Sequence, residues 1–301
     1  MRALWLENQR LSLRDVPEPA PKSGEAVVRV LLAGVCNTDL ELTRGYYPFD
    51  GIPGHEFVGE SDGKRVVGEI NTACHACGAC RAGRTSHCEN RTVLGIKNRN
   101  GAFAEFLSLP RENLHAVPDS IGTEEAVFIE PLAAALQIQQ QIEISPDDRV
   151  LVVGHGKLGR LIARTLALTG CNLTIASRGD QVAQQRFDVV VECSGNPDGF
   201  EIARRAVRPR GTIVMKSTYA GELKVNGSSL VVDEITLIGS RCGPFDKAID
   251  LLASRRIDVR DLIDATYPLD KAITAFGHAQ RAGAMKVLVQ CGTTGSTGRS
   301  V

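Results

Sequence analysis

No stretch of the 301-residue sequence approaches the roughly 18 consecutive apolar residues that a membrane-spanning helix needs, so no membrane association is expected. An excess of charge is missing as well: 35 Lys and Arg balance 35 Asp and Glu, for a net charge of +0. A general nucleic-acid binder needs a basic surface to neutralise phosphates, so no nucleic-acid partner is expected either. The opening stretch, MRALWLENQRLSLRDV, lacks an apolar signal core, and the cytoplasm is the expected compartment. Internal repeats are absent, which argues against a solenoid array. What is present is ordinary globular composition, 43% hydrophobic and 23% charged, in a length suited to about two domains.

The chain has nine cysteines, an odd number, and a reducing compartment argues against disulfides. Four of them, Cys74, Cys77, Cys80 and Cys88, share one glycine-containing loop with the spacing C-x2-C-x2-C-x7-C. Soft thiolates in a set of four suit tetrahedral zinc, and a closed four-sulfur shell is structural. Iron–sulfur ligation and free thiols are the alternatives. His75 and His87 lie inside the loop, but with four cysteines at hand they read as solvated.

Residues 1–118 read as β-rich, with alternating runs such as Ala26 to Val30 separated by Gly and Pro. A helix is expected from Thr123 through Leu136 and Ile138. Strands follow at Val150–Val153, Asn172–Ala176, Phe187–Cys193, Gly211–Lys216 and Ile235–Gly239, with helical patterns between most of them. That alternation signals a parallel α/β sheet. Lys271–Gly283 reads as a helix and Met285–Gln290 as a strand, and the small, polar tail from Gly292 is expected to fray.

Val150–Val153 runs into Gly154-His155-Gly156-Lys157-Leu158-Gly159 and then a helix. GxGxxG is weak alone. Between a strand and a helix it is a dinucleotide fingerprint, because the glycines allow a tight turn and bring a pyrophosphate to the helix N-terminus. The second strand ends in Ala176-Ser177-Arg178-Gly179, with no acid before Asp180 to hold a ribose 2′-OH. A hydroxyl followed by Arg178 suits a 2′-phosphate and points to NADP over NAD. Only about ten residues separate this strand from the next, too few for a helix, a further strand and their connections. The expected sheet therefore lacks its usual third strand and runs in the order 2-1-4-5-6.

Three further segments bear metal-ligand residues: Gly34 to Asp39 around Cys36, Gly51 to Gly59 around His55-Glu56, and Phe128 to Leu132 around Glu130-Pro131. Together with the cysteine loop and the GxGxxG, they make nearly the whole chain resemble the zinc-dependent medium-chain dehydrogenase/reductase superfamily. The resemblance implies an α/β fold in two parts. One is a GroES-like, β-rich catalytic domain from 1–145 and 257–301, and the other is a Rossmann domain from 146–256. It also implies a catalytic zinc on Cys36, His55 and Glu130, with Glu56 as an alternative ligand, and hence two zincs per chain. Glu followed by Pro at the third position resembles the polyol branch, so polyols or sugars lead as substrates, ahead of simple alcohols and of hydroxy-amino acids.

Thr38 is implied as the first proton acceptor. Relatives often carry His three positions later, where this sequence has Glu41. Gly154, Gly156, Lys157, Leu158, Gly159, Ser177, Arg178, Cys193, Ser194, Gly195, Ser217, Thr218, Arg241 and Lys286 are the implied cofactor contacts, Lys286 as a cation near the pyrophosphate. Relatives pair through the last nucleotide-domain strand, so a homodimer or homotetramer is expected through Val231–Ile238. The rival reading is a catalytically inactive redox sensor or structural relative that only binds zinc or nucleotide.

Overall fold

The computed structural model describes residues 1–292, so the tail beyond Gly292 lies outside the described residues. The chain divides into two compact units, one of Met1–Glu130 with the chain from Ile249 on, the other of Pro131–Ala248. The division falls at 130/131 and 248/249, where 145/146 and 256/257 were expected. Hydrogen bonds explain the first shift. Gln139 Nε2 donates to the Thr165 carbonyl and Gln141 Nε2 to the Gly239 carbonyl, tying these helical residues to the nucleotide unit.

The first unit is built on a seven-stranded sheet. Its central strand, Glu25–Gly34, is long enough to serve two sets of neighbours. Its first half pairs antiparallel with Phe106–Pro110, and its second half with Lys286–Gln290. Glu56–Ser61 runs along its other edge with a register shift between Val30 and Leu32, an irregularity of the kind that bends a strand. Alternate residues such as Val28 and Val30 point inward and are fully buried. Ile263–Pro268 joins Lys286–Gln290 in parallel, through the helix Ala272–Ala279. That helix seats Phe276 edge-on against Phe103, ring centroids 5.2 Å apart.

The second unit is a five-stranded parallel sheet. In chain order its strands are Arg149–Val153, Asn172–Ala176, Phe187–Glu192, Val207–Met215 and Thr236–Gly239. Their spatial order is second, first, third, fourth, fifth. This is the expected 2-1-4-5-6 arrangement with the third strand of a six-stranded sheet absent. The central strands carry unbroken apolar runs, Val150–Val153 and Val189–Val191, because both faces are covered, as parallel sheets require. On one face the helix Pro197–Ala206 packs Phe200, Ala203 and Ala206 against Leu151, Val190 and Ile213.

Candidate active site and metal centres

Cys36 stands just before the short helix Asn37–Leu42, where the long central strand ends. Asp39, fully buried, organises this corner. Its Oδ2 accepts the Cys36 amide at 2.9 Å, and its Oδ1 accepts the Gly54 amide at 3.2 Å. The two bonds tie the Cys36 turn to the loop that delivers His55 and Glu56. One donor atom each from Cys36, His55 and Glu56 lies within 4.8 Å of the others. Asp39 Oδ1 is 3.3 Å from His55 Nδ1 but off hydrogen-bond geometry, which leaves this buried nitrogen unpartnered. Burial opposes the imidazolium, but the Asp39 carboxylate and Cys36 sulfur outweigh it and hold the His55 pKa well above its ordinary value. A soft sulfur, an imidazole and a carboxylate brought this close together, with a buried ring nitrogen lacking a hydrogen bond, are a fitting donor set for zinc. Thr38 Oγ1 lies 3.7 Å from Cys36 Sγ.

Glu130 is not among those converging donors, although it acts electrostatically on Lys286 beside them. Lys286, the cation expected near a pyrophosphate, stands in this corner of the first unit. Its ammonium is buried and ion-paired with Glu56, and it stands 5.8 Å from the Phe128 ring centroid. Burial works against its charge, but Glu56, Cys36 and Glu130 keep its pKa above the ordinary value. Strand pairing explains the position: Leu288 opposite Gly34 carries Lys286 in beside the Cys36 corner. Gly34 leaves the room, since a Cβ there would sit 2.7 Å from Glu56 Oε2 and 3.1 Å from Lys286 Cδ.

The cysteine loop forms a second cluster, with the sulfurs of Cys74, Cys77, Cys80 and Cys88 within 4.8 Å of one another. Cys77 Sγ is 3.5 Å from Cys80 Sγ and 3.9 Å from Cys88 Sγ. A tetrahedron with metal–sulfur bonds of about 2.3 Å has edges of about 3.8 Å, so the shell fits zinc. The Cys74 amide donates to Cys88 Sγ at 3.3 Å, and Asn90 Nδ2 donates to Cys74 Sγ at 3.7 Å. The Ala76 amide, helped by Asn90 and the Cys77 amide, holds the Cys74 thiol down to about 6. Burial and the neighbouring thiols push Cys80 up to about 12. His75 turns away to Glu112.

In the second unit the glycine turn is built as a cradle. Gly154 has φ +114° and packs on Cys193, where a Cβ would lie 2.8 Å from backbone atoms. A Cβ on Gly159 would lie 1.9 Å from the Gly154 carbonyl oxygen. Gly156 faces open space with nothing within 4 Å, and it caps the helix Lys157–Ala167. Those are the close packing and the open approach that a pyrophosphate needs. Leu158 is half-buried in the helix's first turn, while Ser177 and Arg178 are exposed at the end of the second strand.

Three of the other expected contacts, Ser194, Gly195 and Ser217, gather around Glu192, which was not itself an expected contact. Glu192, buried at the end of the third strand, accepts through Oε1 from the Ser194 amide at 2.8 Å and hydroxyl at 2.6 Å, and from Ser217 Oγ at 3.0 Å. Ser217 Oγ in turn accepts the Gly195 amide at 2.8 Å. Lys216, likewise not an expected contact, donates to the Ala134 and Arg241 carbonyls at 2.7 and 3.0 Å. Cys193 is half-buried, and desolvation raises its thiol pKa, while Thr218 and Arg241 are exposed. An acid or a lysine closing an apolar strand, as in Val191-Glu192 and Met215-Lys216, was the available signal.

Residues 22–119 match the alcohol dehydrogenase GroES-like domain family, and residues 146–254 match the zinc-binding dehydrogenase family. The chain belongs to the zinc-dependent medium-chain dehydrogenase superfamily. It is 28% identical to the L-galactonate-5-dehydrogenase of Escherichia coli K12, with 83% of this chain and 86% of the relative covered. With the L-threonine 3-dehydrogenase of Streptomyces coelicolor the identity is 29%, covering 96% and 99%. That alignment runs over 346 positions, more than the 301 residues of this chain, so the relative carries segments absent here. Among solved structures, an NADP-bound zinc-binding dehydrogenase of Sinorhizobium meliloti 1021 superposes with TM-score 0.86 at 27% identity, covering 96% and 98%. The chain is thus an oxidoreductase of the alcohol and polyol dehydrogenase kind. Among the described residues no helix is long and apolar enough to cross a membrane.

Proposed function

We propose that the chain interconverts an alcohol and a carbonyl compound with NADP, using one catalytic and one structural zinc. The observation that carries this reading is the convergence of Cys36, His55 and Glu56 within 4.8 Å. The four-cysteine shell supports the structural zinc, and the glycine cradle supports the dinucleotide. Polyols or sugars lead as substrates on Glu130-Pro131, supported by likeness to a galactonate dehydrogenase and a sorbitol dehydrogenase.

When bound, zinc supplies the Lewis acidity that lowers an alcohol's pKa, and NADP supplies the hydride acceptor. The chain's own residues do the rest. Cys36, His55 and Glu56 hold the metal, with Glu130 as the further acid. Asp39 orients the Cys36 and His55 segments, and Lys286 neutralises Glu56 in a buried setting where an unpaired carboxylate would be costly. Thr38 would serve as the first link of a relay, accepting the substrate's hydroxyl proton as it passes its own onward toward solvent. Glu192, through Ser194 and Ser217, fixes the loops after the third and fourth strands of the nucleotide unit.

Arg178 carries the NADP preference, and its test is direct. Arg178→Asp should raise the KM for NADP at least about tenfold while that for NAD changes little, a difference of about 1.4 kcal/mol. Equal loss for both would remove the 2′-phosphate role. A turnover screen of polyols, sugars and short alcohols with each cofactor would identify the substrate class, and no turnover of any would favour the inactive relative. We also propose self-association through the fifth strand. Leu237 is 43% exposed on this edge, and Val231 and Val232 beside it are 77% and 80% exposed. Light scattering should show a dimer or tetramer, and Leu237→Asp should shift it toward monomer.

A further inference from the structure

The two halves of the nucleotide sheet are unequal. On one side of the Arg149–Val153 strand lie three strands, on the other only Asn172–Ala176, which forms the outer edge. Dinucleotide folds are assembled from two mononucleotide-binding halves, and the half that follows the glycine turn receives the adenosine. Here that half is cut to two strands. The chain returns from Ala176 to Phe187 through a segment with no helix or strand. Its turn is fixed by the Ser177 amide donating to Asp180 Oδ2 at 2.7 Å. Beyond it, Gln181, Ala183, Gln184, Gln185 and Arg186 are exposed. The larger apolar residue of the segment, Val182, is engaged elsewhere, packing against the core cluster that includes Leu151, Phe187 and Phe200.

An adenine ring is held by apolar side chains against its faces and by polar groups at its edge. This segment offers polar side chains but, with Val182 turned to the core, no large apolar side chain to lie against the ring. The phosphate end is differently equipped. Gly156 faces open space at a helix N-terminus, Lys157 and Arg160 lie on that helix's first turn, and Ser177 and Arg178 close the second strand. We infer that this chain grips its dinucleotide through the phosphates and ribose and leaves the adenine base exposed, so that it tolerates changes to the base. The inference rests on the dinucleotide reading given above.

The test uses 1,N6-etheno-NADP, whose enlarged ring blocks the N1 and N6 edge of adenine and is itself fluorescent. Calorimetry on the intact protein measures the Kd for NADP and for the etheno analogue, and acrylamide quenching measures exposure of the bound ring. The expected result is a Kd within about fivefold of that for NADP, with the bound ring quenched as readily as the free analogue. A Kd raised more than about fivefold, or a ring shielded from acrylamide, overturns the inference while leaving the dinucleotide reading intact. Failure of both NADP and the analogue to bind would overturn both.

Discussion

Lys286 and Glu56 form a buried ion pair beside the Cys36 corner, and their energetics are lopsided. Removing one partner of such a pair strands the other charge in a low-dielectric site, at about 3–5 kcal/mol. Lys286→Met should therefore lower the unfolding free energy by about 3 kcal/mol, measured by urea denaturation. The Glu56→Gln/Lys286→Met double variant should cost less than the sum of the singles, because no charge is left unpaired. Strict additivity would mean that the two side chains do not act as a pair. None of this was legible locally. Cys36, His55 and Glu56 stood out in short glycine-bounded segments, whereas Lys286 joins them only through the pairing of Leu288 with Gly34, far along the chain. The sequence offered a lysine near the end of the chain, and the register decided what it touches.

At the scale of elements, the glycine turn separates two roles that look identical in GxGxxG. Gly159→Ala should destabilise the nucleotide unit, since its Cβ would lie 1.9 Å from the Gly154 carbonyl. Gly156→Ala meets nothing within 4 Å, so its melting temperature should stay near wild type while NADP binding weakens. Equal melting temperatures for the two variants would contradict the cradle geometry. At the opposite end of the sheet, Asp188 joins three strands. It accepts from the Arg149 amide and Nε at 2.9 and 3.1 Å and from Arg208 Nε at 2.6 Å.

Burial raises the Asp188 pKa, but the bonds from Arg149 and Arg208 outweigh it and hold the carboxyl well below the usual 3.8. A folded pKa below the unfolded one stabilises in full above 3.8, and that stability is lost as pH falls toward the lowered folded value. The gap in urea midpoint between wild type and Asp188→Asn should thus be constant near neutrality and shrink on acidification below 3.8. A gap that does not shrink would show that the carboxylate's charge is irrelevant.

For the whole molecule, the strand order was legible because arithmetic constrained it. The short connection between Ala176 and Phe187 could not hold another helix and strand, and the sheet has five strands in the resulting order. The cysteine shell was legible for a similar reason, since one short loop can fold its own sulfurs together. The limits of the units were less so. Residues 131–145 continue a helical pattern across the boundary, and only bonds such as Gln139 to Thr165 show which unit claims them. Buried polar hubs such as Glu192 were hidden by strands that otherwise read as apolar.

Two zincs per chain in two different sites, one of them catalytic, are what we propose above all. Elemental analysis of the purified protein beside its Cys36→Ser variant tests this most directly, with NADP binding measured to confirm an intact fold. The wild type should carry two zincs per chain, and the folded, NADP-binding variant one, with no turnover of alcohol. A wild type with a single zinc, or a Cys36→Ser variant that keeps both zincs and its turnover, would contradict this.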